Sequence, residues 1–178
     1  MTVPVSNKLW LISDTHFGHR NIVKYCQRPE SHEAIMLSEW IRAVRESDTI
    51  LHLGDVFLGP RGSAWRWSDI CSRLPGQKFL ILGNHDKAPR EQYEQAGFEI
   101  IEPFVSRGIA FTHRPVTKEF PLPGGCSDEW HTNIHGHVHN NPYNLEHDGT
   151  YRDDRRYINL SVEVTDFKPR QLGVVCPL

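Results

Sequence analysis

The sequence predicts an α/β fold, and three observations predict it. Five short apolar runs recur along the chain. Most of them end in a small polar cluster rich in Gly, Asp, Asn or His. Stretches with helical spacing of apolar residues lie between the first three runs. Runs this short, bounded by Gly and Asp and without polar alternation, read as strands buried on both faces. Strands that alternate with helices build an α/β core.

The elements follow in order. Leu9-Trp10-Leu11-Ile12 is the first strand and runs into Ser13-Asp14-Thr15-His16. Leu37, Trp40, Ile41 and Val44 then follow the i, i+3, i+4, i+7 spacing of a helix, with Ser31 as its N-cap and Glu33 in its first turn. Ile50-Leu51-His52-Leu53 is the second strand and ends at Gly54-Asp55. Trp67, Ile70, Cys71 and Leu74 repeat the helical spacing until Pro75-Gly76 stops it. Phe79-Leu80-Ile81-Leu82 enters Gly83-Asn84-His85-Asp86, and a short third helix is expected with Pro89 at its first position and Gly97 just past its end. Beyond about residue 98 the pattern is richer in strands: Ile109-Ala110-Phe111 enters Thr112-His113, and Asn133-Ile134-His135 enters Gly136-His137-Val138-His139. Lys118 to Trp130 and Asn140 to Arg156 read as loops, with Asp148-Gly149 as a tight hairpin turn.

The 178 residues are expected to form a single domain over 1–178. A hydrophobic share of 38% excludes disorder, and no apolar run is long enough to cross a bilayer. The start of the chain lacks the basic-then-apolar pattern of a signal peptide, so a cytoplasmic location is expected. A net charge of −2 argues against a protein that wraps long nucleic acid. Cys26, Cys71, Cys126 and Cys176 contain no Cys-x-x-Cys pair and read as free thiols of a reducing compartment. Histidine is the anomaly: there are 11, and His131, His135, His137, His139 and His147 fall close together.

The polar clusters carry the chemistry. The C-terminal edge of strands in an open α/β sheet is where ligands bind. The groups delivered there are Asp14, His16, Asp55, Asn84, His85, His113, His137 and His139. Oxygen and imidazole donors without thiolate suit Mn, Fe, Zn, Ni or Co. The set is too large for one ion and divides over two if one carboxylate is shared. Asp14-x-His16 and His137-x-His139 each place two side chains on one side of an extended segment.

Asp-x-His, Gly-Asp, Gly-Asn-His-Asp, an isolated His and Gly-His-x-His, in that order, resemble the motif blocks of the calcineurin-like metallophosphoesterases. The blocks run from Asp14 to His139, about 70% of the chain. Ser13-Asp14-Thr15-His16-Phe17-Gly18-His19 and Asn159-Leu160-Ser161-Val162-Glu163-Val164 are similar to a small bacterial and phage branch of that family. The resemblance implies two packed mixed β-sheets flanked by helices. It implies two divalent metal ions, Mn²⁺ first among the choices. Asp14, His16 and His139 would hold one, Asn84, His113 and His137 the other, and Asp55 would bridge them. His85 would face the scissile phosphate without binding metal. The implied activity is hydrolysis of phosphodiesters, such as nucleotides or cyclic nucleotides, by a metal-bridging hydroxide. The alternatives are a phosphomonoesterase on a small metabolite or phosphoprotein, and a metal-free scaffold on the same fold.

The family often extends Gly-Asp to Gly-Asp-x-x-Asp, whose second Asp orients the catalytic His. Here that position is Leu58, which leaves Asp86 or a backbone carbonyl to orient His85. His19, Arg20 and Arg114 are candidate substrate contacts. His52 and His135 read as core histidines, Trp65 and Trp67 as helix packing, and Arg61, Arg66, Arg73 and the Arg152–Arg156 run as solvated surface.

Overall fold

Two mixed sheets face each other across one apolar layer, and helices cover the far side of the first sheet. The computed structural model describes residues 2–58, 63–117, 120–122, 129–140 and 155–178, without the side chains of 63–65. Arg61, Cys126, His147, Arg152, the Asp148-Gly149 turn, the side chain of Trp65 and most of the two expected loops lie outside the described residues.

The first sheet contains β1 (Trp10–Ile12), β2 (Thr49–His52), β3 (Gln77–Ile81), β4 (Phe98–Ile101) and, after a long return, β9 (Arg170–Gln171). Its order is β4-β3-β2-β1-β9, parallel except for β9. The second sheet contains β5 (Phe104–Ser106), β6 (Ile109–Phe111), β7 (Thr132–His135) and β8 (Tyr157–Asn159), in that order, with β6, β7 and β8 parallel. The helices are α1 (Ile22–Tyr25), α2 (His32–Ala43), α3 (Ser63–Ser72), α4 (Arg90–Gln95) and α5 (Leu172–Val175). Among the described residues no helix is long and apolar enough to cross a membrane.

Period-two side-chain direction explains why β1 to β3 need continuous apolar runs. Leu9, Leu11, Leu51, Leu53, Phe79 and Ile81 point into the layer between the sheets and meet Ile109, Phe111 and Ile134. Ile12, Ile50 and Leu80 point the other way, onto Met36, Trp40, Cys71 and Tyr93 of the helical layer. Burial of both faces is what the absence of alternation predicted.

The helices depart from expectation in three places. In α2 the buried residues are His32, Met36 and Trp40, with Val44 buried at the C-cap and Leu37 packed beside them, whereas Ile41 is 61% exposed, so Met36 takes the place in the apolar stripe that was expected of Ile41. Ser31 precedes α2 but makes no side-chain cap hydrogen bond, and the turn is closed by Ile35 N–H donating to Ser31 O. Pro89 sits at the N-cap of α4, one residue earlier than expected, with an extended ψ of 144°. A proline N-cap leaves the first helical residue to Arg90, and Gly97 follows the helix at φ +86° as expected. In α3 and the turn after it, Trp67, Cys71 and Leu74 are buried, Phe17 stacks on Trp67, and Arg66 and Arg73 are exposed, as predicted.

Candidate metal centre

Five parallel strands converge on one edge, and each ends in a loop that carries candidate ligands. Beyond the strand ends the loops keep pairing: the N–H groups of Asp14 and His16 donate to the carbonyls of Gly54 and Asp55 at 2.9 and 3.0 Å. Gly136 N–H donates to His113 O at 2.9 Å, and Val162 N–H donates to Ser13 O at 3.2 Å, which ties the two sheets together at this edge.

The local backbone is not the extended one expected for Asp14-x-His16 and His137-x-His139. Asp14, His16, Asp55, His137 and His139 all have left-handed φ, between 49° and 71°, and make up five of the nine described non-glycine residues with positive φ. Asp and His tolerate this region better than most residues, yet each such position costs about 1–3 kcal/mol unless its surroundings impose it. The kinks, rather than strand alternation, turn each pair of side chains toward one point. Two glycines make room for that point. A Cβ on Gly83 would run into the Asp55 carboxylate, and one on Gly136 would run into Ser13 and the Asp14 carboxylate.

The side chains form two groups. Asp14, His16 and His139 gather their ligand atoms within 4.8 Å of one another, as do Asp55, His113 and His137. In the first, His16 Nε2 lies 3.9 Å from Asp14 Oδ1, and His139 Nε2 lies 3.8 Å from the same oxygen. In the second, His113 Nε2 lies 3.4 Å from Asp55 Oδ2 and 3.0 Å from Asn84 Oδ1. Asp55 Oδ2 is also 3.5 Å from His16 Nε2, so this oxygen stands between the groups.

The donor set fits divalent cations. Asp14 uses Oδ2 to accept from His137 N–H at 2.9 Å and approaches Ser161 Oγ at 3.0 Å, while its Oδ1 is buried without a partner. Asp55 uses Oδ1 to accept from His85 N–H at 2.8 Å, while its Oδ2 is buried without a partner. Both ring nitrogens of His16 are equally unpartnered. A buried polar atom left without a partner costs about 1–3 kcal/mol, and here several face one another. Burial pushes the Asp55 carboxyl up to about 7, against the pull of His113 and with a further push from Asp14 and Asp86. Burial also opposes ionisation of Asp14, but His113, His139 and His16 outweigh it and hold that carboxyl well below the usual range. A cation between these oxygens would relieve the first effect and satisfy the orphaned atoms.

Second-layer contacts set the ring orientations. His113 Nδ1–H donates to Leu53 O at 2.8 Å, leaving Nε2 to face Asp55 and Asn84. His139 Nδ1–H donates to Glu163 Oε1 at 3.0 Å, leaving Nε2 to face Asp14. Glu163 Oε1 is in turn held by Arg28, through Nε at 2.8 Å and Nη2 at 2.6 Å. Arg28 is buried and also donates to Thr15 O and Asp14 O at 2.8 and 2.6 Å. Sequence reading assigned neither residue a role. Glu163 lies in the motif resembling the phage branch, which was the available signal; for Arg28 no local pattern marked it. Cys26 lies within 4.8 Å of His139 and Glu163. The guanidinium of Arg28 against Glu163 makes that third group a poor host for a cation.

Asp86 does not orient His85. Its carboxylate accepts from the N–H groups of Asp55 and Gly83 at 2.7 and 2.8 Å and of Val56 at 2.9 Å, which staples the Gly-Asp loop to the Gly-Asn-His-Asp loop. His85 is instead placed by its own N–H on Asp55, its ring exposed with its edge against His16 at 5.5 Å between centroids. His19 is half-buried near His16, 5.7 Å between centroids. Arg20 is exposed, and the Arg114 guanidinium lies over Phe120 at 4.5 Å. His52 is buried and braces the floor: Nε2–H donates to Thr15 Oγ1 at 3.0 Å, and Nδ1 accepts from Gly54 N–H at 3.1 Å. His135 is fully buried with Nδ1 at 2.8 Å from Gly136 O.

Residues 8–169 match the family model described as calcineurin-like phosphoesterase. The chain is 34% identical over 178 residues to the uncharacterized protein MJ1445 of Methanocaldococcus jannaschii, covering 96% of this chain and 90% of that one. It is 30% identical over 158 residues to the Gene 66 protein of Mycobacterium phage L5, covering 73% of this chain and 76% of that one. Among solved structures it resembles the protein of unknown function AQ665 from Aquifex aeolicus, with a TM-score of 0.69, 29% identity, and coverage of 94% and 96%. It shares its fold with Pseudomonas putida nuclease MPE, at a TM-score of 0.50, 24% identity, and coverage of 75% and 62%.

Proposed function

The chain belongs to the calcineurin-like phosphoesterase family, and on that premise we propose that it is a phosphodiesterase working with two divalent metal ions. The coarser activity, metal-dependent hydrolysis of phosphate esters, follows from the family itself. The observation that carries the two-ion reading is Asp55 Oδ2, buried, unpartnered, and 3.5 and 3.4 Å from the Nε2 atoms of His16 and His113. Asp14, His16 and His139 would hold one ion, Asn84, His113 and His137 the other, and Asp55 would be shared. Mn²⁺ is the first choice for oxygen and imidazole donors, with Fe, Zn, Ni and Co as alternatives. Bound there, such ions would acidify a water and neutralise charge on the phosphoryl oxygens.

The residues of the chain divide the remaining work. His85 holds a proton at the leaving oxygen: its ring is exposed beside the groups, and its backbone is fixed on Asp55. Glu163 and Leu53 O keep the rings of His139 and His113 in the tautomer that turns Nε2 inward. Preference for diesters rests on the disposition of cations. A monoester dianion needs several fixed cations, whereas Arg28 is committed to Glu163 and to two carbonyls, Arg20 is exposed, and the Arg114 guanidinium lies over Phe120. A diester monoanion needs fewer. A metal-free scaffold would have no use for the orphaned oxygens of Asp14 and Asp55.

The test is kcat/KM of the Mn²⁺-loaded protein on bis(p-nitrophenyl) phosphate and p-nitrophenyl phosphate at one pH. A higher value for the diester is expected. A higher value for the monoester replaces this reading with a phosphomonoesterase, and absence of bound metal after loading favours the scaffold.

A further inference from the structure

Beside the second ligand group lies a cavity of about 410 Å³ that the chemistry above leaves unused. Asn84 and His113 are part of its lining. Leu82, Pro103, Phe120 and Pro121 are its apolar walls, and Arg114 borders it. We propose that this cavity is the base-binding subsite of the enzyme, taking the nucleobase of a nucleotide phosphodiester whose phosphate sits at the metal groups. The proposal rests on the phosphodiesterase reading for the position of the phosphate, and goes beyond it in naming what one of the two ester groups is.

Four features point to a flat aromatic group attached to an anion. Leu82 and Phe120 are each 44% exposed, an apolar surface that costs free energy in water and is relieved by a ligand. The Arg114 guanidinium already lies over the Phe120 ring at 4.5 Å, so a planar cation and an aromatic ring stand together, the two surfaces on which bases stack. Arg114 is held in place through its backbone, since Thr112 Oγ1–H donates to Arg114 O at 2.6 Å. No carboxylate lines the cavity among the described residues, so an anionic ligand meets no repulsion there. A sugar or peptide phosphate would leave the apolar walls unused. Continuity with Asn84 and His113 places the occupant within one ester linkage of the reacting phosphate.

The experiment compares a thymidine dinucleotide with its abasic analogue, in which both bases are replaced by hydrogen. The wild-type Mn²⁺-loaded protein, Phe120→Ala and Phe120→Leu are used. Phe120 is exposed and outside the ligand groups, so these variants keep the fold and the metals, which elemental analysis checks. In the wild type the bases are expected to raise kcat/KM about tenfold, the scale of one base–aromatic stack. Phe120→Ala erases that advantage and leaves cleavage of the abasic diester unchanged, and Phe120→Leu retains part of it. Equal rates on both diesters, or an equal loss on both in Phe120→Ala, overturns the subsite while leaving the phosphodiesterase standing. If neither diester is cleaved while bis(p-nitrophenyl) phosphate is, the subsite is overturned and the phosphodiesterase stands; if bis(p-nitrophenyl) phosphate is not cleaved either, the phosphodiesterase reading falls, and calorimetry of thymidine 5′-monophosphate against inorganic phosphate decides the cavity. Tighter binding of the nucleotide that is lost in Phe120→Ala supports it, and no difference overturns it.

Discussion

The two ligand groups are built from the same donors, yet they are braced in different ways. In the first, a charged chain runs from the buried Arg28 through the Glu163 carboxylate to the half-buried His139. In the second, the bracing of His113 is one backbone carbonyl, Leu53 O, and the group borders the cavity that Asn84 and His113 help to line. A carboxylate partner makes an imidazole a better donor than a carbonyl does, and it fixes the ring more firmly. On the two-ion proposal, the difference predicts tight, slowly exchanging binding at the first group and weaker, exchangeable binding at the second, which borders the proposed subsite. Asp55 is the element common to both.

The largest expected effect comes from removing what the groups share. Asp55→Asn keeps the shape, loses the charge, and should lower turnover by about 10⁴-fold or more, with loss of metal from both groups. Retention of both ions in elemental analysis would place the shared role elsewhere. His85→Ala comes next. Turnover should fall about 10³-fold while both ions stay, and the loss should shrink for esters with good leaving groups, which need little protonation. Loss of an ion in that variant would make His85 a ligand.

The asymmetry itself is tested at Glu163. Glu163→Gln should weaken the tighter of two Mn²⁺ binding steps about 10–100-fold in calorimetry and leave the weaker step unchanged. Equal weakening of both steps would end the contrast between the groups. Removing Glu163 outright would also strand Arg28, a buried cation, at a cost of about 3–5 kcal/mol of stability, so the isosteric variant is the informative one.

The smallest effect concerns the floor that both groups rest on. Burial pushes His52 down to about 3 from its ordinary 6.5. The unfolded chain therefore takes up a proton at this ring before the folded chain does. Stability from the neutral ring is complete above pH 6.5 and is lost as the pH falls toward 3. In urea titrations of metal-free protein, the midpoint should drop with pH over that window, and less steeply in His52→Gln.

Much of this was legible in the chain because the signals are local. Continuous apolar runs marked β1, β2, β3 and β6, a weaker run marked β7, and strand ends rich in Asp, Asn and His marked the edge where ligands gather. Short or polar elements such as β8 and β9 were not legible, since two or three residues carry no period. The Ile41 position shows the limit even within a periodic helix: spacing gives a stripe, but the neighbours decide which edge of it is covered.

By itself the sequence determined which donor types the site contains and the order in which the strands deliver them, because residue chemistry and periodicity are read over a few neighbours. The tertiary structure alone decided how those donors face one another. Left-handed backbone at Asp14, His16, Asp55, His137 and His139 is tolerable only where loops from both sheets impose it. Asp86 lost its expected role because three N–H groups from two loops claim its carboxylate. Arg28 and Glu163 met across 135 positions because β1 and β8 end at the same edge, and a buried charge is stable only where folding brings its partner to it.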